Sequence, residues 1–262
     1  MKVFFVPLEC NSSLQWGRAL RKERCSSASE AMEKSEKKEK RTMPELRIAI
    51  LGAGPVGSTL GHKWARAGHT VAFGVKDPSS ERAQSLRAYL GEHLLIGSPA
   101  DALAMSDIVV LAVPGEVVEE LIITHAHLLD HKIIIEAANK LPHIQKTLST
   151  KKWADHEPLT SLSTLQAHAP HAQVYRAFNS YGWEPFADPL YQGVQADLFY
   201  CGPEGEAQTV VEQLITEVGL CPVRLGDVDQ VEVVDDVLQL WVTLALLQGK
   251  GRDQVALKVL TR

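Results

Sequence analysis

The segment Gly52–Gly57, which reads GAGPVG, constrains the fold of this chain more than any other feature. It directly follows the apolar stretch Leu46–Leu51 and opens an amphipathic stretch, Val56–Ala67, that Gly68 ends. A strand, a tight glycine turn and a helix in this order begin a βαβ unit, and the G-x-G-x-x-G spacing within it is typical of dinucleotide binding. The spacing therefore predicts a Rossmann-type fold with a pyrophosphate held at the start of the helix.

Apolar strands continue to alternate with helical stretches further along the chain. We predict strands at His69–Phe73, Ile108–Val113, Lys132–Ala137, Gln173–Phe178, Ala196–Cys201 and Cys221–Leu225. We predict helices at Ser79–Leu90, Ser98–Ala104, Val117–Leu129, near Leu159–Ala167, and at Glu206–Val218 and Val231–Gln248. The pattern indicates an α/β fold: a doubly wound, mostly parallel sheet with helices on both faces and a small α+β C-terminal portion.

The composition divides the chain into an extension and a body. Residues 1–43 carry 10 basic and 6 acidic side chains, and within them Ser26–Arg41 is rich in Ser, Glu and Lys without apolar periodicity. We interpret this extension as disordered or as a frayed helix, with a transit peptide or a true start at Met43 as alternatives. Residues 44–180 are expected to form the NAD(P)-binding domain, and residues 181–262 the smaller portion that completes the cleft.

The charge and the cysteines of the body exclude several classes of function. Residues 44–262 carry 17 basic and 26 acidic side chains, and an acidic body argues against nucleic acid as a partner. No apolar run reaches the ~18 residues that a membrane span needs. The four cysteines form no C-x-x-C pair, which favours free thiols in a reducing, cytoplasmic setting.

The end of the second strand bears on the choice between NAD and NADP. An acidic residue at this position binds the ribose hydroxyl in NAD enzymes, but the strand here ends at Gly74. Lys76 follows and can meet a 2′-phosphate as a point charge. Asp77 is the rival as a ribose ligand, although its place before Pro78 favours a turn or N-cap role. The sequence therefore favours NADP.

Two further strand ends contribute candidate ligands, because open parallel sheets bind ligands at their carboxyl edge. Asn139 and Asn179 each carry an amide that can bond ribose or the nicotinamide carboxamide. The full predicted cofactor-binding set is Gly52, Ala53, Gly54, Pro55, Val56, Gly57, Val75, Lys76, Ala112, Val113, Pro114, Asn139 and Asn179.

Several separated segments resemble one family, the NADP oxidoreductases that depend on the deazaflavin coenzyme F420. They are Leu51–Gly57, Gly74–Pro78, Leu111–Gly115, Leu129–Asn139, Tyr175–Trp183 and Ala196–Gly202, and the similarity runs from about Leu46 to Arg262. It implies an enzyme, usually a homodimer, that moves a hydride between NADP(H) and a deazaflavin or flavin-like acceptor. The Rossmann domain is also similar to that of pyrroline-5-carboxylate reductase.

The sequence departs from this family in two places. Where the family has a Ser-Arg pair that holds the 2′-phosphate, this chain has Val75-Lys76, so one positive charge remains but the bidentate fork is lost. Lys140 replaces a proline that often follows Asn139 in the family. The first difference predicts reduced selectivity for NADP. The second leaves the identity of the hydride acceptor as the property that the resemblance implies least strongly.

Hydride transfer between two rings needs little acid–base help, and no nucleophile triad is evident in the sequence. We expect Asn179 near the nicotinamide, and Tyr181 and Trp183 as an aromatic wall beside the acceptor, with core or dimer packing as the alternative for both aromatics. We expect no metal, because His125 and His127 do not share a helix face.

Two other functions remain open. An imine or carbonyl reductase would need a proton donor and a long helical C-terminal domain, and the short mixed C-terminal portion disfavours it. A non-catalytic NADP-binding regulator would keep the glycine turn and lose an open acceptor cleft.

Overall fold

The predicted parallel sheet is confirmed in a computed structural model, which describes residues 45–90, 94–153 and 160–262. Its strands are β1 (Arg47–Leu51), β2 (Thr70–Gly74), β3 (Leu94–Gly97), β4 (Ile108–Leu111), β5 (Ile133–Glu136) and β6 (Gln173–Arg176). All five pairings are parallel, and the order is β3-β2-β1-β4-β5-β6. This is the strand order of the Rossmann fold, in which ligands bind where the order reverses, between β1 and β4.

Helices cover both faces of this sheet. They are α1 (Pro55–Ala67), α2 (Glu81–Leu90), α3 (Pro99–Ala104), α4 (Val118–Leu129), α5 (Leu141–Thr150), α6 (Leu162–His168), α7 (Glu184–Ala187), α8 (Glu206–Val218) and α9 (Val231–Val242). Alternate residues of a strand point to opposite faces. Ile48 and Ile50 of β1 accordingly pack in one apolar cluster with α1, α8 and α9, whereas Ala49 and Leu51 pack in another with α3, α4 and α6.

The predicted start of α3 is confirmed in detail. The Ser98 hydroxyl accepts a hydrogen bond from the Asp101 backbone N–H, and the Asp101 carboxylate accepts one from the Ser98 backbone, while Pro99 occupies the first turn. Such a reciprocal capping box satisfies two backbone donors that the helix itself leaves unpaired.

Several short elements were not predicted from the sequence, α7 among them. Strand β3 has only four residues, too few to show alternation, and the hairpin of β7 (Leu190–Tyr191) and β8 (Val194–Gln195) is shorter still. Helix α5 lies in a stretch rich in Ser, Thr and Lys for which no helix was predicted, although Pro142 fits the first turn of a helix. The long C-terminal helix continues beyond Val242 as a π-helical turn, Thr243–Leu247, so helical backbone ends one residue before the predicted Gln248.

The C-terminal portion joins the main sheet directly. Strands β9 (Asp197–Tyr200) and β10 (Cys221–Arg224) form a parallel pair, and Cys201 exchanges two backbone hydrogen bonds with Arg176 at the end of β6. Residues 45–262 form one unit whose apolar core crosses residue 180. The division predicted at residue 180 stays a prediction, and the extension over residues 1–43 lies outside the described residues. Within the described part, no helix is long and apolar enough to cross a membrane.

Candidate functional site

A cavity of about 840 Å³ lies at the carboxyl edge of the sheet, where β1, β2 and β4 end. Its described lining is Gly52, Ala53, Gly54, Pro55, Gly74, Val75, Lys76, Asp77, Ser80, Ala83, Pro99, Ala112, Val113, Pro114, Val117, Glu120, Leu121, Thr124 and His125. The volume falls in the range of about 300–1,000 Å³ that ligand pockets occupy. The cavity thus contains most of the predicted cofactor set, including the glycine turn, Lys76 and the residues after β4.

The three glycines of the turn differ in what the surrounding structure requires of them. A Cβ on Gly52, which has φ 111°, would lie 2.5 Å from the Ala112 carbonyl oxygen, and one on Gly57 would lie 2.3 Å from the Gly52 oxygen. A Cβ on Gly54 would meet nothing within 4 Å, and its φ of −70° suits any residue. The fold therefore needs Gly52 and Gly57, whereas Gly54 leaves open space in which a ligand can approach the backbone.

The turn after β2 places two opposite charges at the edge of the cavity. Oδ1 of Asp77 accepts hydrogen bonds from the Ser79 backbone N–H at 2.9 Å and the Ser79 hydroxyl at 2.6 Å, and these bonds lower the pKa of Asp77. The predicted turn role of Asp77 is thereby confirmed. Lys76 is exposed and forms no ion pair with a described carboxylate, so its ammonium group is available to a ligand.

One wall of the cavity was not predicted from the sequence. Five of its residues come from the start and middle of α4 and the turn before it: Val117, Glu120, Leu121, Thr124 and His125. Their spacing of three and four residues is that of one helix face, a signal that was present in the sequence. His125 also interrupts the helix with φ −114° and ψ 19°.

The two predicted asparagines do not line the cavity in the described structure. Asn179 is fully buried, and its Nδ2 donates to Oδ1 of Asp235 at 2.9 Å. Nδ2 of Asn139 donates to the backbone oxygen of Asn179 at 2.8 Å, while its Oδ1 accepts from Arg176 at 3.0 Å. Both amides are thus engaged inside the protein, and a contact of Asn179 with nicotinamide stays a prediction.

These amides belong to a buried charge network that the sequence did not reveal. Arg176 and Glu136 are each 1% exposed, although each ends a strand in which buried hydrophobic residues directly precede it. Arg176 donates to Oδ1 of Asp235 from Nε at 3.0 Å and from Nη2 at 2.8 Å, and Nη1 donates to the Ala138 oxygen at 2.7 Å. A charged residue closing a buried strand was the available signal for such a network, because buried charges need partners.

The network reaches the cavity through the backbone. The carbonyl oxygen of Asn139 accepts a hydrogen bond from the Gly115 N–H at 3.0 Å, and a Cβ on Gly115 would lie 2.9 Å from that oxygen. Gly115 directly follows Pro114 of the cavity wall. Arg176, by holding Asn139, therefore supports the position of this wall, although it is not among the described residues that line the cavity.

The two predicted aromatic residues, Tyr181 and Trp183, have different environments: the first is buried in the core and the second is partly exposed. The Tyr181 hydroxyl donates to the Asp197 oxygen at 2.8 Å and accepts from the Leu257 N–H at 3.2 Å, and burial raises the pKa of Tyr181. Its ring packs against Trp241, so it is a core residue. Trp183 is 40% exposed and lines a second cavity against α1. A shared aromatic wall for both residues stays a prediction.

A histidine pair at the opposite edge of the sheet was not considered from the sequence. His131 and His171 stack with ring centroids 4.6 Å apart, and Oδ2 of Asp130 lies 2.9 Å from Nδ1 of His171. The candidate ligand atoms of the three residues lie within 4.8 Å of one another, and both histidines are exposed. This group lies at the amino ends of β5 and β6, away from the cavity, and the expectation of no metal remains a prediction.

The described cysteines differ in accessibility, which allows a direct test. Cys201 is fully buried and burial raises its pKa to about 12, whereas Cys221 is half-buried. Because the thiolate is the reactive form, iodoacetamide at mild alkaline pH should modify Cys221 in the native protein and spare Cys201 until the protein is unfolded. Mass spectrometry of the digested protein measures both sites, and rapid native labelling of Cys201 would contradict its burial.

The fold and the glycine turn define a Rossmann-type dinucleotide-binding protein. Residues 47–140 match the family described as NADP oxidoreductase, coenzyme F420-dependent. The match covers the glycine turn, Lys76 and the residues after β4, which form the cavity.

Three solved structures illustrate the similarity. A protein from Arthrobacter sp. FB24, provisionally described as an F420-dependent NADP reductase, shares 25% identity at a TM-score of 0.65, over 79% of this chain and 96% of that one. A pyrroline-5-carboxylate reductase from Coxiella burnetii shares 12% identity, with a TM-score of 0.57 over 77% and 67% of the chains. A reductive aminase from Aspergillus terreus, solved with NADPH, shares 19%, with a TM-score of 0.53 over 77% and 62%. The last two show the common fold alone.

Proposed function

We propose that this protein transfers a hydride between NADP(H) and a deazaflavin or flavin-like acceptor. The observation that carries the proposal is the distribution of ionisable groups around the cavity. Ala112, Val113 and Pro114, after β4, carry none, whereas the ionisable side chains of the described lining lie after β2 and on α4. Such an arrangement suits a reaction that needs alignment and exclusion of water more than proton transfer.

The residues of the cavity divide the tasks of binding the dinucleotide. The open space before Gly54 and the free N–H groups at the start of α1 fit the pyrophosphate. Lys76 is placed at the strand end that contacts the adenosine ribose, where its charge fits a 2′-phosphate. When bound, the nicotinamide supplies the hydride, and the apolar residues after β4 keep water from that end of the cavity.

The residues after β6 support the same reaction class. Tyr181 already uses its hydroxyl in two hydrogen bonds with the backbone, and the Asn179 amide is held by Asp235. Neither is in a position to donate a proton to a carbonyl or imine substrate in the cavity. This favours transfer between two rings over reduction of an imine.

The proposal is tested by following the NADPH absorbance band under anaerobic conditions. Oxidised coenzyme F420, FMN and pyrroline-5-carboxylate are added separately at equal concentration. We expect oxidation of NADPH with the deazaflavin or with FMN. Oxidation with pyrroline-5-carboxylate alone would assign the protein to the imine reductases, and oxidation with none of these acceptors would contradict the proposal.

The contribution of Lys76 to cofactor choice gives a second test. Lys76→Ala should weaken NADPH binding by about tenfold, or ~1.4 kcal/mol, because a charged contact with the 2′-phosphate is lost, and should change NADH binding little. Asp77→Asn is the matched control, since it keeps the acceptor for Ser79 but removes a negative charge, and should not weaken NADPH. Titration of cofactor fluorescence measures the affinities of both variants and of the wild type for NADPH and NADH. Equal losses of affinity for NADPH and NADH in Lys76→Ala would show that Lys76 does not contact the 2′-phosphate.

A further inference from the structure

A second cavity of about 650 Å³ lies along the outer side of α1, bounded by α7 and the end of α8. Its lining begins at Ser58 and Thr59, one helical turn beyond Pro55, and no described residue lines both this cavity and the dinucleotide cavity. The two cavities therefore share a helix but are separate binding spaces.

The described lining of this second cavity contains more cationic than anionic side chains. Lys63 and Arg66 line it, and neither forms an ion pair with a described carboxylate. Glu217 also lines it, but its Oε2 lies 2.7 Å from Nε2 of the buried His69, and its Oε1 accepts from Gln213 at 2.8 Å. The carboxylate is thus engaged with its own neighbours, and the two cations outnumber it in the described lining.

The pKa of a neighbouring histidine is lowered first by burial and then by these cations. Partial burial, followed by the charges of Arg66 and Lys63, lowers the pKa of His62, which lines the same cavity. A lowered pKa means that adding a further positive charge here is unfavourable. The effect is consistent with a positive potential in the cavity.

Trp183 gives this cavity an aromatic surface. It is 40% exposed, whereas Trp64 and Trp241 are buried and each donates its indole N–H to a backbone oxygen. Within the described residues the Trp183 indole makes no such hydrogen bond. An exposed indole face next to cations is suited to a flat aromatic ring that carries an acidic group.

We propose that this second cavity binds a planar organic anion, with its ring against Trp183 and its phosphate or carboxylate at Lys63 and Arg66. The ligand occupies this site while the dinucleotide occupies its own. Flavin phosphates belong to this chemical class. The site does not depend on the proposed hydride transfer, which concerns the other cavity.

FMN and riboflavin form a matched pair of probes, because they share a ring and differ in the phosphate. The full-length protein is first saturated with NADP⁺ so that the dinucleotide cavity is filled. Fluorescence anisotropy of each probe then measures its affinity. We expect FMN to bind in the presence of NADP⁺ and riboflavin to bind about tenfold more weakly.

Variants locate the bound probe. Lys63→Ala/Arg66→Ala should weaken FMN by about tenfold or more and leave riboflavin nearly unchanged, whereas the exposed Lys146→Ala is a control that should change neither. Trp183→Ala should weaken both probes, because both lose the stacking surface. The NADP⁺ affinity should remain unchanged in every variant, which shows that the fold is intact.

Three results would overturn the proposal: no binding of FMN to the NADP⁺-saturated protein, displacement of FMN by NADP⁺, or equal FMN affinity in the Lys63→Ala/Arg66→Ala protein. A protein that binds FMN as described but oxidises no NADPH with any acceptor would contradict the proposed function and leave this site standing. The two proposals can therefore fail separately.

Discussion

Replacement of Gly54 with valine is expected to abolish NADPH binding while the protein stays folded. The backbone at Gly54 has φ −70°, and a Cβ there meets nothing within 4 Å, so the fold tolerates a side chain. The valine would instead fill the open space that the pyrophosphate must enter. We expect an affinity loss of at least about 100-fold, or ~2.7 kcal/mol, in a titration of NADPH fluorescence.

Gly52→Val is the contrasting variant in the same turn. Its Cβ would overlap the Ala112 carbonyl oxygen at 2.5 Å, and its φ of 111° is strained for a β-branched residue, so this protein should lose stability as well as binding. Thermal unfolding separates the two effects. Unchanged NADPH affinity in Gly54→Val would contradict the assignment of the cavity.

Replacement of Arg176 with methionine is expected to cost about 3–5 kcal/mol of unfolding free energy. Arg176 is the cation between the buried carboxylates of Asp235 and Glu136, at 2.8 Å and 3.7 Å. Its removal would leave two buried carboxylates without the cation that lies between them. The melting temperature should fall by roughly 10 °C, and urea unfolding gives the free energy.

Arg47→Met serves as the control for this loss. Arg47 also pairs with a carboxylate, that of Asp107 at 2.7 Å, but the two side chains are 58% and 63% exposed. Exposed ion pairs contribute only about 0–1 kcal/mol, so this variant should be nearly as stable as the wild type. Similar losses of unfolding free energy in the two variants would show that burial does not determine how much the Arg176 network contributes to stability.

The glycine turn could be predicted from sequence because every part of its signal is local. The apolar strand before Gly52, the G-x-G-x-x-G spacing and the helix after Gly57 are contiguous, and the structure places them as expected. The Ser98 cap of α3 is local in the same sense. Elements that depend on long-range pairing were harder to predict from the sequence. Strand β3 has only four residues, and it is a strand because it pairs with β2.

The orientation of the side chains after β5 and β6 could not be predicted from the sequence. A rule about strand ends correctly indicated that polar residues gather there, but it did not tell which way each points. Asn179 turns into the core because Asp235, 56 residues further along the chain, supplies its partner. No local pattern links the two, since the helix that carries Asp235 is brought there by tertiary packing.

The central claim is direct transfer of a hydride from NADPH to a ring acceptor, and isotopic labelling tests it most directly. NADPH that carries deuterium at the transferred position is mixed with the protein and oxidised coenzyme F420, and the reduced deazaflavin is analysed by mass spectrometry. Because a deazaflavin receives the hydride on carbon, direct transfer predicts a product that retains one deuterium. A reduced deazaflavin without deuterium would contradict direct transfer, and the absence of any reduced product with either coenzyme F420 or FMN would contradict the claim as a whole.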